Sequence, residues 1–149
     1  MPHRRPRLPP VTNIDYTDHQ LPEQDELVEL YDSVGWSKYT DDPLRLYDAV
    51  GRSLRVVCAR IDNRLVGLAR IVGDGLTIVY LQDILVHPDH QRLGIGRELL
   101  RLALEPYQDV RQKVLMTDDE PRQRAFYESM GFTEIRDAVN PVRAFIQFD

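Results

Sequence analysis

Between a run of strand-forming residues, Leu76 to Val86, and an amphipathic helical pattern ending at Leu104 stands Gln91-Arg92-Leu93-Gly94-Ile95-Gly96. No other stretch restricts the fold as much, because a strand must enter it and a helix must leave it. His87-Pro88 stops the strand, since proline brings no N–H to a ladder, and Glu105-Pro106 stops the helix. Gly94 accepts a positive φ and Gly96 lets an anion approach the main chain. Successive amides at the helix N-terminus can then cradle a pyrophosphate. Arg92 and Arg97 add positive charge at the same place. The competing reading is an ordinary glycine-containing helix start, which a lone G-x-G would favour; the preceding strand and the flanking arginines weigh toward phosphate. A P-loop would need Gly-Lys-Ser/Thr where the chain has Gly96-Arg97-Glu98. A Rossmann site would want a third glycine where Leu99 stands, within an early β-α-β unit.

The rest of the chain supplies the setting. Val11 to Tyr16 alternates as a short first strand, and Pro22 with Glu23, Asp25 and Glu26 marks a helix N-terminus, with Pro22 at the first helical position. Leu27, Leu30, Tyr31 and Val34 recur at helical spacing up to Gly35. Gly35 to Thr40 reads as a loop, and a second helix opens at Asp42-Pro43. Strand periodicity follows: Leu54 to Ile61, an Asp62-Asn63 turn and Leu65 to Val72 form an antiparallel hairpin, and Leu76 to Val86 a central strand. After the helix from Gly94 come a strand near Val114 to Met116, a helix near Pro121 to Met130 capped by Gly131, and closing strands near Phe132 to Ile135 and Ala144 to Phe148. The order β-α-α-β-β-β-α-β-α-β-β is mixed α/β, with helices covering one sheet.

With these motifs in place, the chain resembles the GNAT superfamily of acyl-CoA-dependent N-acetyltransferases. Gln91 to Gly96 is similar to that family's Q/R-x-x-G-x-G/A pyrophosphate motif, preceded by a strand ending Ile84-Leu85-Val86-His87-Pro88. Phe126-Tyr127-Glu128-Ser129-Met130-Gly131-Phe132 matches its F-Y-x-x-x-G-F helix-to-strand signature, in the right order and spacing. The resemblance implies a mostly antiparallel central sheet, flanked by helices, whose fourth and fifth strands splay around a pantetheine arm. It implies that the backbone of Ile84, Leu85 and Val86 pairs with pantetheine and polarises the thioester. Gln91, Arg92, Leu93, Gly94, Ile95, Gly96 and Arg97 would then hold the pyrophosphate. Acetyl-CoA enters as co-substrate and no metal is called for. Family members often carry an asparagine after the fifth strand, where this chain has Thr117-Asp118-Asp119.

Acetyl transfer to an amine needs a neutral nucleophile and a proton for the departing thiolate. Tyr127 resembles the family tyrosine that donates to sulfur. Against that stands a helix-packing role, with Phe126 and Met130 on one apolar face and Tyr127 rotated about 100° from Phe126, toward the cleft. Asp83, a carboxylate in an apolar strand on the same face as Leu85, is the candidate base; a structural role at a bulge and a water chain are the alternatives. Asp74 between two glycines is a turn former or, less simply, an acceptor contact. His87 and His90 lack a convincing third metal ligand nearby and read as loop packing.

Composition bears on the acceptor. The chain has 149 residues with 19 Lys and Arg against 24 Asp and Glu, a net charge of −5 that disfavours nucleic acid as a partner. One segment carries that acidity: residues 11–50 hold ten acids and only Lys38 and Arg45, a balance of −8, while residues 51–149 hold fourteen charges of each sign. This segment also offers Tyr31, Trp36 and Tyr39 as aromatic surfaces. The expectation is a cationic acceptor, a small-molecule amine or a Lys side chain, drawn by the acidic field and by cation–π contact. The alternative is that the acids are solvated helix faces and the aromatics anchor helices. A lone Cys58 gives no internal disulfide, and no apolar run is long enough to span a bilayer, so a cytoplasmic setting without membrane is expected. Residues 1–10, with Arg4, Arg5 and Arg7, read as a basic, Pro-rich arm, and 11–149 as one domain. A CoA-binding regulatory or sensor module without turnover is the alternative to an enzyme, and a nucleotide-phosphate binding domain a third reading. Homodimers are common in the superfamily, but no residue here requires one.

Overall fold

Asp62 and Asn63 both adopt positive φ, +49° and +64°, the backbone of a two-residue hairpin turn that Asp and Asn tolerate better than most residues. They join β2 (Arg55–Ile61) to β3 (Arg64–Gly73), the centre of a five-stranded sheet in the order β1-β2-β3-β4-β5. The computed structural model describes residues 13–149. The basic arm at 1–10 and the first residues of the expected initial strand, Val11 and Thr12, lie outside the described residues. β1 (Asp15–Thr17), β2, β3 and β4 (Ile78–Val86) pair antiparallel, and β5 (Gln112–Leu115) lies parallel to β4. The mixed, mostly antiparallel sheet flanked by helices is the expected fold class.

The chain divides into two compact units, one ending at Val114 and the other Leu115–Asp149. In the first, helices cover both faces of the sheet. α4 (Ile95–Leu104) buries Ile95, Leu99, Leu100 and Ala103, residues at helical spacing on one side. It approaches β3 so closely that a Cβ on Gly67 would stand 3.0 Å from a Leu99 methyl and 3.1 Å from Ile95. On the other face α1 (Gln24–Ser33) and α3 (Pro43–Gly51) supply Leu27, Leu30, Tyr31, Leu46 and Val50 to a core shared with Val56, Cys58, Leu65, Leu68 and Leu85. Cys58 is fully buried there, and burial pushes its thiol up to about 11, so it is a packing residue.

Helix starts follow side-chain chemistry. Glu23 and Glu26 form a reciprocal capping box for α1, so Pro22 precedes the cap and is not the first helical residue as expected. Asp42 caps α3 by accepting from the Arg45 N–H at 3.2 Å, ahead of Pro43. The expected loop after Gly35 contains one helical turn, α2 (Ser37–Thr40). Arginines of the hairpin tie the helical layer down: Arg60 makes a two-pronged pair with Glu26 at 2.6 and 3.1 Å, and Arg64 reaches Glu29 at 2.6 Å.

In the second unit α5 (Pro121–Ser129) ends in a Schellman motif. Phe132 N–H donates to the Tyr127 carbonyl at 3.0 Å, Gly131 N–H to Glu128 at 3.1 Å, and Gly131 takes φ +93°. Arg124 then binds Glu128, Glu134 and Asp137. The two expected closing strands do not form. Residues 132–134 make no ladder and lead into a 3-10 turn, Ile135–Asp137, and residues 144–148 have no regular structure. Alternating apolar residues favour a strand only where a neighbouring edge accepts it, which local pattern does not encode. Among the described residues no helix is long and apolar enough to cross a membrane.

Candidate active site

β4 does not run evenly against β3. Arg70 pairs with Asp83, but Ile71 pairs with Leu81, so Gln82 is an extra residue in β4 and forms a bulge. Facing residues on paired strands share a side, so the bulge reverses which residues point where. Leu81 lies on the face of Ile71, whereas Asp83 and Leu85 lie with Arg70 and Leu68 on the face of α1 and α3. Past the bulge Ile84 and Val86 are half-buried. Val86 lies next to the start of α4, its Cγ2 being 3.9 Å from where a Gly96 Cβ would stand. β5 enters the sheet beside Thr77, whose carbonyl accepts from the Gln112 N–H at 3.2 Å, and ends after four residues, so β4 extends well beyond it.

The connection from β4 to α4 is a 3-10 turn, Pro88–His90, followed by exposed residues 91–94. His87 Nδ1 accepts the Asp89 N–H at 3.2 Å, so the histidine packs and caps the loop. Arg92 adopts φ +68° and Gly94 φ +77°, and α4 begins at Ile95. Gly94 is the N-cap and carries no capping side chain, leaving the first-turn amides to other partners. Arg92 and Arg97 are both exposed on this turn. The segment thus brings Ile84 to Val86 and Gln91 to Arg97 to one end of the sheet. Its chemistry suits an anion lying across a helix N-terminus.

Asp83 sits at the bulge, 3% exposed. One carboxylate oxygen accepts from the Tyr31 hydroxyl and from Arg70 Nε, each at 2.8 Å, and the other from the Tyr39 hydroxyl at 2.7 Å. This carboxylate is held by a buried guanidinium and two phenols, a geometry that orders the bulge and keeps the carboxylate out of solvent. A general-base role is therefore not what its surroundings favour, and the bulge role weighed beside it is. The same network removes Tyr31 from the aromatic acceptor surface: it is 0% exposed, so no substrate can touch its ring. Trp36 and Tyr39 remain partly exposed, edge-packed on Tyr31 at 5.8 and 5.2 Å between ring centroids.

Asp74 accepts from the N–H groups of Leu76, Thr77 and Ile78 and from the Thr77 hydroxyl, at 2.6 to 3.1 Å. Those bonds hold its carboxyl well below the usual range and make it a turn former, with its oxygens turned to its own loop and not to an acceptor. Arg70 was not singled out from the sequence. Its signal is present, because an arginine inside the apolar run of β3 and the single aspartate of β4 are natural partners across a hairpin.

In the second unit Tyr127 is 7% exposed, with Phe126 and Phe132 at 5.0 and 6.0 Å between centroids. Burial raises its phenol to about 12, partly countered by a hydrogen bond with Thr117. The helical offset from Phe126 suggests a Tyr127 side chain that reaches the cleft instead of the core. Instead Tyr127 is the more buried of the two, because it occupies the Schellman position that contacts Phe132.

The family model "Acetyltransferase (GNAT) domain" matches residues 52–134, and the chain belongs to that family. It is 29% identical over 119 residues to the uncharacterized N-acetyltransferase ycf52 of Pyropia yezoensis, covering 76% of this chain and 67% of that one. It is 35% identical over 115 residues to a ycf52-like N-acetyltransferase of Prochlorococcus marinus, covering 72% of this chain and 61% of the relative. A solved GNAT-family acetyltransferase of Streptococcus pneumoniae superposes with a TM-score of 0.78 at 31% identity, over 92% of this chain and all of the other.

Proposed function

We propose that the protein transfers the acetyl group of acetyl-CoA to a primary amine, by direct attack in a ternary complex. The observation that carries this reading is the continuity of the bulged β4 with the exposed turn and uncapped helix start. Pantetheine would lie along Ile84 to Val86, and the pyrophosphate would rest on residues 91–97 between Arg92 and Arg97. An aminoglycoside N-acetyltransferase solved with CoA shares the fold at a TM-score of 0.71.

In the reaction the neutral amine nitrogen attacks the thioester carbon, the C–S bond breaks, and the nitrogen loses a proton to water. An N–H of β4 beside the bulge would polarise the carbonyl; a preorganised donor of this kind lowers such a barrier by about 3 kcal/mol. The leaving thiolate is assigned to Tyr127. A phenol held at about 12 stays protonated at neutral pH. Handing its proton fully to a thiolate of about 8.5 would be uphill. In the role that the family resemblance gives it, Tyr127 would steady the sulfur by donating a hydrogen bond, and the thiolate would take its proton from solvent.

The acceptor side is the first two helices. Three of the ten acids of residues 11–50 are matched by arginines of the hairpin, Asp18 by Arg55, Glu26 by Arg60 and Glu29 by Arg64, which reduces the balance from −8 to −5. That remaining charge, beside the partly exposed Trp36 and Tyr39, favours a cationic small-molecule amine or a Lys side chain. A cytoplasmic setting suits this chemistry.

Thiol release should be followed with acetyl-CoA against a panel of amines, amino acids, aminoglycosides and Lys peptides. Cationic amines are expected to turn over, and Tyr127→Phe to lower kcat by about tenfold or more. Preference for neutral or anionic acceptors would overturn the charge argument. Tight acetyl-CoA binding with no release on any acceptor would favour the sensor module.

A further inference from the structure

α2 is a single helical turn, four residues long, and its N-cap Trp36 provides no side-chain cap. A helix this short has no stability of its own, so its position is set by the groups that tie it down. Besides the Trp36 N–H, which donates to the Tyr31 carbonyl at 3.1 Å, two side-chain ties are present. The Thr40 hydroxyl donates to Asp32 at 2.5 Å, which fastens the turn to α1. The Tyr39 hydroxyl donates to Asp83 at 2.7 Å and accepts from the Gln82 amide at 3.1 Å, which fastens it to the bulge of β4.

These two contacts differ in what they couple. Asp83 is already anchored by Arg70 and by Tyr31, both buried, so its position is fixed from within. Gln82 is exposed and is itself the extra residue of the bulge. Tyr39 is the member of this network whose ring reaches the surface, where it stands 6.1 Å from the Trp36 ring. Its hydroxyl thus joins the aromatic corner of the first helices to the residue before Ile84, where the strand segment assigned to the thioester begins.

We propose that Tyr39 is a positioning residue for the acceptor: its hydroxyl, held by Asp83 and Gln82, sets the distance between the Trp36–Tyr39 corner and β4, and so selects which amines fit. This rests on the reading of an amine acetyltransferase above. Tyr39→Phe keeps the ring and removes the tie. Gln82→Ala removes half of it at an exposed site, and so serves if Tyr39→Phe does not fold.

Tyr39→Phe is expected to raise the acceptor KM by about tenfold, the equivalent of one net hydrogen bond, with kcat within about threefold. The acetyl-CoA Kd should stay within about twofold, and discrimination between compact and bulky amines should narrow by the same factor as KM rises. Acrylamide quenching of Trp36, the single tryptophan, should increase in both variants as the corner loosens. A loss of acetyl-CoA affinity in parallel with the rise in acceptor KM would overturn the proposal, since the network would then hold the sheet as a whole. Unchanged KM and unchanged quenching would overturn it as well. If the wild-type protein acetylates no amine, the enzymatic reading fails and acceptor selection falls with it, while Trp36 quenching alone still decides whether the hydroxyl fastens the corner.

Discussion

Asp83 shows how one carboxylate can look catalytic in a sequence and structural in its surroundings. Alternation places it correctly on the Leu85 face, but alternation is silent about Arg70 and Tyr31, which lie 13 and 52 residues away in the chain. Removing the negative charge while keeping the shape isolates its role. Asp83→Asn leaves the Arg70 guanidinium buried without a counter-charge, which costs about 3 kcal/mol or more. The melting temperature is expected to fall by about 10 °C in calorimetry. Where the variant is folded, kcat/KM should keep the wild-type dependence on pH. Loss of the acidic limb of that profile would return Asp83 to the role of general base. Tyr127 teaches the complementary lesson: its backbone carbonyl and ring complete a Schellman cap, so the F-Y-x-x-x-G-F signature has a folding function apart from any chemistry at the hydroxyl.

At the level of elements, what could be read early was what is local. Asp62-Asn63, Asp42-Pro43 and Gly94 each announce a turn or a helix start through backbone chemistry, and each is where it was expected. Two kinds of feature were not legible. The closing strands depended on a partner edge, and the bulge at Gln82 depended on the register between two strands; neither is written in any short window. The packing of α4 on β3 belongs to this second kind. Gly67 resembles any strand glycine in the sequence, yet it is where the helix comes closest to the sheet. Gly67→Ala would press a methyl against Leu99 and Ile95 and is expected to destabilise the fold by about 1 to 3 kcal/mol in urea unfolding, with an unchanged m-value. A neutral result would mean that α4 can lift away from β3 at little cost.

For the molecule as a whole, several weak acids are kept neutral by burial. The Cys58 thiol is raised from 9.0 to about 11 and Tyr127 from 10.0 to about 12, and Tyr31 and Tyr39 are raised in the same direction, desolvation being the first cause in every case. The unfolded chain ionises these groups at their ordinary values while the folded chain still holds the protons. Their contribution to stability is therefore complete below pH 9 and declines above it, first through Cys58 and then, past pH 10, through the tyrosines, at about 1.4 kcal/mol per pH unit for each proton involved. Cys58→Ala should flatten the decline in melting temperature between pH 9 and 10 and leave the steeper fall beyond it. An equal slope in both proteins would show that the thiol is not held neutral. Charge at this scale is also redistributed: Arg55, Arg60 and Arg64 take up part of the acidity of the first helices, so the field offered to an acceptor is weaker than a count of acids implies.

The bulge of β4 acts on the sheet as a change of parity. Before Gln82 the odd-numbered residues Val79 and Leu81 belong to one side, and after it the odd-numbered Asp83 and Leu85 belong to the other. Deleting this one exposed glutamine would exchange the two sides for every residue on one flank, sending a carboxylate toward α4 or apolar side chains toward Arg70. The strand can therefore vary in composition at Gln82 but not in length, and among relatives of this fold a gap at that column should be far rarer than a substitution.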